Sequence, residues 1–448
     1  MSGNEKRLPL EGVRVLSLTQ SWTGPFGSML LGDLGAEILR LEQIQYPGVT
    51  RGVAYPDREV WANNKDGGIQ QYVDREPEGP NGEYPWNRYG FGNCHLQNTY
   101  GFTLDISRPK GWALFRRLVQ LSDIFIENNT PLTLPKLGIT WEFLHGENPE
   151  LIVIRSPGFG LDGPYFHWKG FGSNIEAAIG HAWLMRYSDD PEHTMSNRHT
   201  FVMDNCGAHT VPAAAMMGLL QRERIGEGML IEITQAEGVM AALPEPWMEY
   251  FANQKTEFLA QGNRLPTAIQ GCYPAKENDL WKGVDQWIVI TINDDQEWRG
   301  LCEALSNPEW TNDPKFASIT SRRRNQDELD ANVAEWTWQH DNYAAMSLLQ
   351  EHGVAAGAVQ TEAMNFADPH VNGRNFWIKE TQKWSGTHLY TGYTGKYLRT
   401  PRKNRAEMPP CGLGEHNEYV FRGILGLSEE EYAELEREEY AGTAWLTQ

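Results

Sequence analysis

The chain is short of cysteine and of basic residues, and it has no long apolar run. Its 448 residues include five cysteines, Cys94, Cys206, Cys272, Cys302 and Cys411, widely scattered and with no C-x-x-C pair. That excludes a disulfide framework, offers no zinc-ligand spacing and fits a reducing, cytoplasmic setting. Lys and Arg number 39 against 59 Asp and Glu, a net charge of −20. This balance argues against nucleic acid or an anionic membrane as the partner. An anionic ligand would need a few local Lys and Arg residues working against the overall field. No stretch approaches the roughly 20 apolar residues that span a bilayer, and residues 1–7 carry no signal-peptide core.

Familiar catalytic signatures are missing too. The first βα turn contains Gly24 and Gly27 but no G-x-G-x-x-G, so a nicotinamide cofactor has little support. There is no P-loop, no H-E-x-x-H and no G-x-S-x-G elbow. His193 and His199 sit in a polar stretch typical of solvated histidines, and no metal site is expected. Cys206 is a rival nucleophile, but no adjacent base marks it, and most such cysteines are small core residues.

What is present is an α/β pattern. Residues 13–18 read as a strand, 21–27 as a turn, 29–35 as a short helix and 36–42 as a second strand, a βαβ opening. Residues 46–97 are polar, rich in Gly, Pro, Asn and Trp, and read as a long irregular insertion. A helix over 109–121 follows, then strands at 123–127 and 151–156. A helix is predicted at 211–224 and a strand at 229–234. A separate α+β segment occupies 257–335, with a strand at 285–292. Residues 428–439 form a charged terminal helix capped by Ser428, with Glu431 three residues on.

Asp204 stands out from this background. It precedes the apolar run 211–220 and so falls at the mouth of a helix. There a carboxylate can accept backbone N–H groups and feels the positive end of the dipole, both favouring the ionised form. Such a residue can be a cap, a salt-bridge partner or a nucleophile.

The order of short motifs along the chain supplies the context. Pro9-Leu10-Glu11-Gly12-Val13-Arg14-Val15-Leu16, Gly24-Pro25, Leu31-Gly32-Asp33-Leu34-Gly35-Ala36-Glu37 and Leu41-Glu42 open the series. Leu104-Asp105, Asp123-Ile124-Phe125-Ile126-Glu127-Asn128, Gly170-Phe171 and Met203-Asp204 continue it. Gly226-Glu227-Gly228, Asn307-Pro308-Glu309-Trp310, Gly353-Val354-Ala355-Ala356-Gly357, Asp368-Pro369 and Gly414-Glu415-His416 complete it. In this order they resemble the class III CoA-transferases, the family of formyl-CoA, carnitine and aromatic-acid CoA-transferases.

The resemblance implies a Rossmann-like large domain built from both chain ends, here 8–235 (with the insertion 46–97) and 350–448. It also implies a smaller α+β middle domain at 257–335 and an interlocked-ring dimer, as a homodimer or a heteromer with a related subunit. Asp204 would be the nucleophile, carrying CoA between two acids through an aspartyl anhydride and an aspartyl-CoA thioester. A carboxylate carrier suits the task because exchanging CoA between acids is nearly isoenergetic and needs no permanently bound cofactor. The substrates would be an acyl-CoA and a small carboxylic acid.

By the same resemblance Trp22 contacts CoA and the acyl group. Arg40, Asn128, Lys136 and Lys169 would contact the nucleotide, diphosphate or pantetheine. Phe171 and Gly262 would also lie at the substrate, Gly262 within Gln261-Gly262-Asn263-Arg264, which replaces the family's glycine-rich loop. Thr99-Tyr100 stands where formyl-CoA transferase has Lys-Arg, so one phosphate contact is missing or supplied elsewhere. The aromatics Trp22, Tyr46, Trp61, Trp86 and Tyr89 hint at a bulky aromatic or dicarboxylic acid. Two other readings share the fold. One is an α-methylacyl-CoA racemase, whose second proton-transfer group is the histidine of a Gly-His-Asp motif where this chain has Gly170-Phe171-Gly172. The other is the partner subunit of a heteromeric transferase.

Overall fold

The structure is a computed structural model that describes residues 7–46, 48–52, 84–185, 201–255, 262–265 and 267–446. Two compact units divide the chain: Met1–Ile179, His199–Leu243 and Gly373–Gln448 make one, and Gly180–Arg198 with Pro244–Asn372 make the other.

The first unit is built on a parallel sheet of six strands: β1 (Arg14–Leu18), β2 (Glu37–Glu42), β3 (Thr99–Thr103), β4 (Ile124–Glu127), β5 (Ile152–Arg155) and β6 (Met229–Glu232). Their order is β3-β2-β1-β4-β5-β6. The order reverses between β1 and β4, and in such sheets ligands bind beyond the carboxyl ends of the strands at this switch.

Alternate residues of each strand go to opposite faces. Leu16, Leu39, Leu41, Phe102, Phe125 and Val153 share one core with the helix Pro109–Gln120 and with Val420, Phe421 and Leu435 near the C-terminus. Val15, Ile38, Ile124, Ile126, Ile152 and Ile154 share the other with Leu31, Val211, Ala214 and Ala215. Near-continuous Ile, Val and Leu runs, buried on both faces, are what a parallel sheet demands.

Four helices frame the switch point: α1 (Thr23–Asp33), α2 (Gly172–Ala178), α3 (Val202–Ile225) and α4 (Gln235–Met240). Helix α1 takes in residues 23–27, which the sequence analysis gives to a turn. Pro25 is harmless in a first turn, where its missing N–H has no partner to lose. Helix α3 starts nine residues before 211, the start expected from the apolar run. Asp204 is therefore inside the first turn, and the N-cap is Phe201. Strand β3 is absent from the sequence reading; its Thr-Tyr-Gly-Phe-Thr composition was masked by the polar residues before it.

The two ends of the chain meet in this unit. Arg405 Nη2 lies 2.6 Å from Asp33 Oδ2, with both side chains buried. Asn98 adds a third partner, donating to Asp33 Oδ1 at 2.9 Å. A hairpin, Trp377–Gln382 with Gly386–Thr391, also belongs here, as does the terminal helix Glu429–Arg437. That helix carries the reciprocal cap expected of Ser428 and Glu431.

The second unit holds an antiparallel sheet, Ile269–Ala275, Gln286–Ile292 and Ala355–Ala358. Its core gathers Ile288, Ile290, Leu301, Phe316, Leu329, Val333 and Leu349. Residues 350–372 lie in this unit, because Ala355–Ala358 pairs with Gln286–Ile292. Among the described residues no helix is long and apolar enough to cross a membrane.

Candidate active site

The loop after β1 is clamped from β4. Asn128 accepts the Gln20 N–H at 2.7 Å and donates to the Gln20 carbonyl at 2.8 Å. This two-way bond fixes the turn that delivers Trp22 and Thr23 to the start of α1. Ser21 takes a left-handed conformation, φ 61°, to make that turn.

Thr23 Oγ1 then donates to Asp204 Oδ1 at 2.8 Å. It also lies 3.4 Å from Gln235 Oε1, while Gln235 Nε2 is anchored on the Ser156 carbonyl at 2.7 Å. The first residues of α1 and α4 thus meet at the Thr23 hydroxyl, which holds the Asp204 carboxylate of α3. The approach is close because Gly207 of α3 faces Thr23, where a Cβ would lie 2.7 Å from Thr23 Cγ2. Gly172, opening α2, is tighter still: a Cβ there would fall 2.0 Å from Asp204 Oδ2.

Asp204 retains 7% of its surface exposure. Burial raises its pKa above the ordinary carboxylate value; the Thr23 hydrogen bond works against this, and the nearby Glu176 charge adds to it. The expected direction, toward the ionised form, is therefore corrected: burial, with the Glu176 charge, carries the pKa upward. Phe201, just before the helix, sits at φ 33°, a costly left-handed conformation for an aromatic residue.

An aromatic cluster adjoins the site. The Trp22 ring lies 4.5 Å from Phe91, 5.0 Å from His95 and 5.3 Å from Phe201. Phe26 continues it, 5.0 Å from His95 and 5.4 Å from His209. Burial pushes the His95 pKa down to about 3, so the ring is neutral at ordinary pH. Trp22 Nε1 and His95 Nδ1 are buried without hydrogen-bond partners among the described residues. Phe91 and His95 were not expected here, since residues 84–97 read as irregular insertion. Tyr89 joins through Phe91 at 5.8 Å, whereas Trp86 packs on Tyr84 and Tyr46 is exposed. Trp61, His193, His199 and Gln261 lie outside the described residues.

The remaining expected contacts lie on separate elements. Arg40 is buried in β2, its Nη1 on Thr19 Oγ1 at 3.0 Å and its Nη2 3.6 Å from Glu42, which Arg51 also holds. Arg40 Nε has no hydrogen-bond partner among the described residues. Lys136 ends a single helical turn, Thr133–Lys136, and is exposed. Lys169 is exposed in the segment leading to α2. Phe171 is 57% exposed beside Gly172, its N–H donating to Asn174 Oδ1. Gly262 belongs to the second unit at φ 60°, and there Arg264 is held by Asp327 and Asp330. A G-x-G-x-x-G run does occur at residues 158–163 after β5, but no helix follows directly, so the dinucleotide context is unmet.

Comparison with known proteins follows the same lines. The model of CoA-transferase family III matches residues 10–417. The chain is 32% identical over 439 residues to the succinyl-CoA–D-citramalate CoA-transferase of Chloroflexus aurantiacus, covering 97% of this chain and 99% of that one. It is 25% identical over 442 residues to the alpha subunit of succinyl-CoA–L-malate CoA-transferase from the same organism, covering 96% and 92%. The crystal structure of a CAIB/BAIF family protein from Brucella suis superposes with a TM-score of 0.75 at 24% identity, over 94% of this chain and all of that one.

Proposed function

The chain belongs to CoA-transferase family III, and within that family we propose that it moves CoA from an acyl-CoA to a free carboxylic acid through Asp204. The observation that carries this reading is the convergence on Asp204 of the Thr23 hydroxyl, at Oδ1, and the bare backbone of Gly172, beside Oδ2.

In the first step Asp204 attacks the donor thioester carbonyl. The C–S bond breaks, CoA thiolate leaves and an acyl-aspartyl anhydride forms. The thiolate then attacks the aspartyl carbonyl, which expels the donor acid as its carboxylate and leaves aspartyl-CoA. The acceptor carboxylate repeats both steps in reverse and restores Asp204. Thr23 occupies Oδ1, so Oδ2, beside Gly172, is the attacking oxygen.

Trp22 lines the acyl site, and its unpartnered Nε1–H supports a polar contact with the substrate. With Phe91 and Phe201 it supports a bulky acid, and the dicarboxylates in the relatives' names support an acid with a second carboxylate. Arg40, Asn128, Lys136, Lys169, Phe171 and Gly262 are proposed CoA or substrate contacts, Arg40 through its unpartnered Nε. The phenyl ring of Phe171 has no proton to transfer, which favours transferase over racemase. Exposed Met216, Met217 and Leu220 on α3 support assembly into a homodimer or a heteromer with a related subunit.

The test needs no knowledge of the acceptor. Succinyl-CoA incubated with labelled succinate should exchange label into the thioester, and Asp204→Ala should abolish it. Exchange that survives in Asp204→Ala overturns the reading.

A further inference from the structure

Resting on the reading of Asp204 as nucleophile, we propose that Glu176 is a positioning residue, holding the first turn of α3 and placing a negative charge behind Asp204. Glu176 stands one turn beyond Gly172 on α2, and residues four apart share a helix face. Gly172 is the residue whose missing side chain makes room for Asp204 Oδ2. The same face therefore offers the nucleophile empty space at one position and a carboxylate at the next.

The Glu176 side chain is fully buried, and its Oε1 accepts the Met203 N–H at 3.0 Å. Met203 immediately precedes Asp204. Helix α3 has no side-chain cap from its own N-cap residue, so a donor of its first turn is satisfied from a neighbouring helix. A neutral amide could accept that bond equally well, and burying a carboxylate is costly. The charge thus has a task beyond capping. It reaches two groups of the site: Asp204, where it adds to burial in raising the pKa, and Cys206, where it does the same. A more basic carboxylate is the stronger nucleophile toward a thioester.

Among the described residues, the charged groups on elements packed against α3 are Asp33 on α1, Glu176 on α2, Glu237 on α4, Arg155 on β5 and Glu232 on β6. On α3 itself they are His209, Arg222, Glu223 and Arg224. Of all these, Glu176 is the one whose charge registers at Asp204.

Glu176→Gln in the full chain keeps an acceptor for Met203 and removes the charge. The readout is succinyl-CoA/succinate exchange across pH, beside thermal stability and the yield of hydroxylamine-trapped Asp204. The acid limb should move to lower pH and kcat should fall roughly tenfold, the scale of one interaction with a charged group, while KM and melting temperature hold. An unmoved limb and unchanged kcat in the folded variant overturn the proposal. Glu176→Asp, which keeps the charge but withdraws it by one methylene, gives a second measure if the glutamine variant fails to fold. It should shift the limb in the same direction, and an unmoved limb overturns the proposal equally. A wild-type protein that exchanges label but traps nothing at Asp204 refutes the nucleophile reading instead, so the two failures are distinguishable.

Discussion

Thr23 and Asp204, 181 residues apart in sequence, share a hydrogen bond of 2.8 Å at the switch point of the parallel sheet. The donor opens α1 and the acceptor lies in the first turn of α3, so the bond registers two helices at once. It also stabilises the ionised carboxylate against the burial that disfavours it.

Thr23→Val keeps the shape and deletes the donor. Loss of a hydrogen bond to the anion raises the Asp204 pKa further, so the acid limb of exchange should move to higher pH. Activity at neutral pH should fall by roughly tenfold, the scale of a hydrogen bond to a charged group. Thr23→Ser should restore most of it. The measurement is the pH–rate profile of succinate exchange.

Gly172→Ala tests the space beside Oδ2. The new Cβ would lie 2.0 Å from that oxygen, so the carboxylate must turn away. Displacing a reacting atom by about 1 Å costs on the order of a hundredfold in kcat. The expected result is that loss with a cooperative, near-wild-type melting transition.

This geometry was only partly legible in the sequence. The βαβ opening could be read because Val13 to Leu18 and Ala36 to Glu42 carry the buried runs of a parallel sheet. Asp204 drew attention as an acidic residue ahead of an apolar run, yet its helix begins at Val202 because tertiary packing extends α3 through Asn205, Cys206 and Gly207. Burial reversed the expected direction of its pKa, and the carboxylate packs against Gly172 and Thr23, residues that no local pattern links to Asp204. Glu176 gave no signal at all. Its meaning lies in one hydrogen bond to Met203 and in the glycine one turn before it.

His95 sets a pH dependence of stability. Its pKa falls from 6.5 to about 3 on burial. Above pH 6.5 the folded and unfolded states bind equal protons at this site. As pH falls toward 3 the unfolded chain takes up a proton that the folded chain refuses, so stability declines. The slope reaches at most about 1.4 kcal/mol per pH unit. His95→Phe, which keeps a ring beside Trp22, should flatten that part of the curve in urea titrations. An unaltered slope contradicts the assignment.

The Asp33–Arg405 pair joins the beginning of the chain to its end. Removing Arg405 alone leaves a buried carboxylate with Asn98 as its remaining partner, which typically costs about 3–5 kcal/mol. Arg405→Ala should therefore lower the urea midpoint sharply. Replacing both partners with Leu and Met should recover much of the loss.

The most direct measurement is mass spectrometry of the protein incubated with succinyl-CoA and hydroxylamine. The account predicts a hydroxamate on Asp204, seen only when the thioester is present and absent in Asp204→Asn. A peptide containing unmodified Asp204 from enzyme that is exchanging label, or a hydroxamate on another carboxylate, would contradict it.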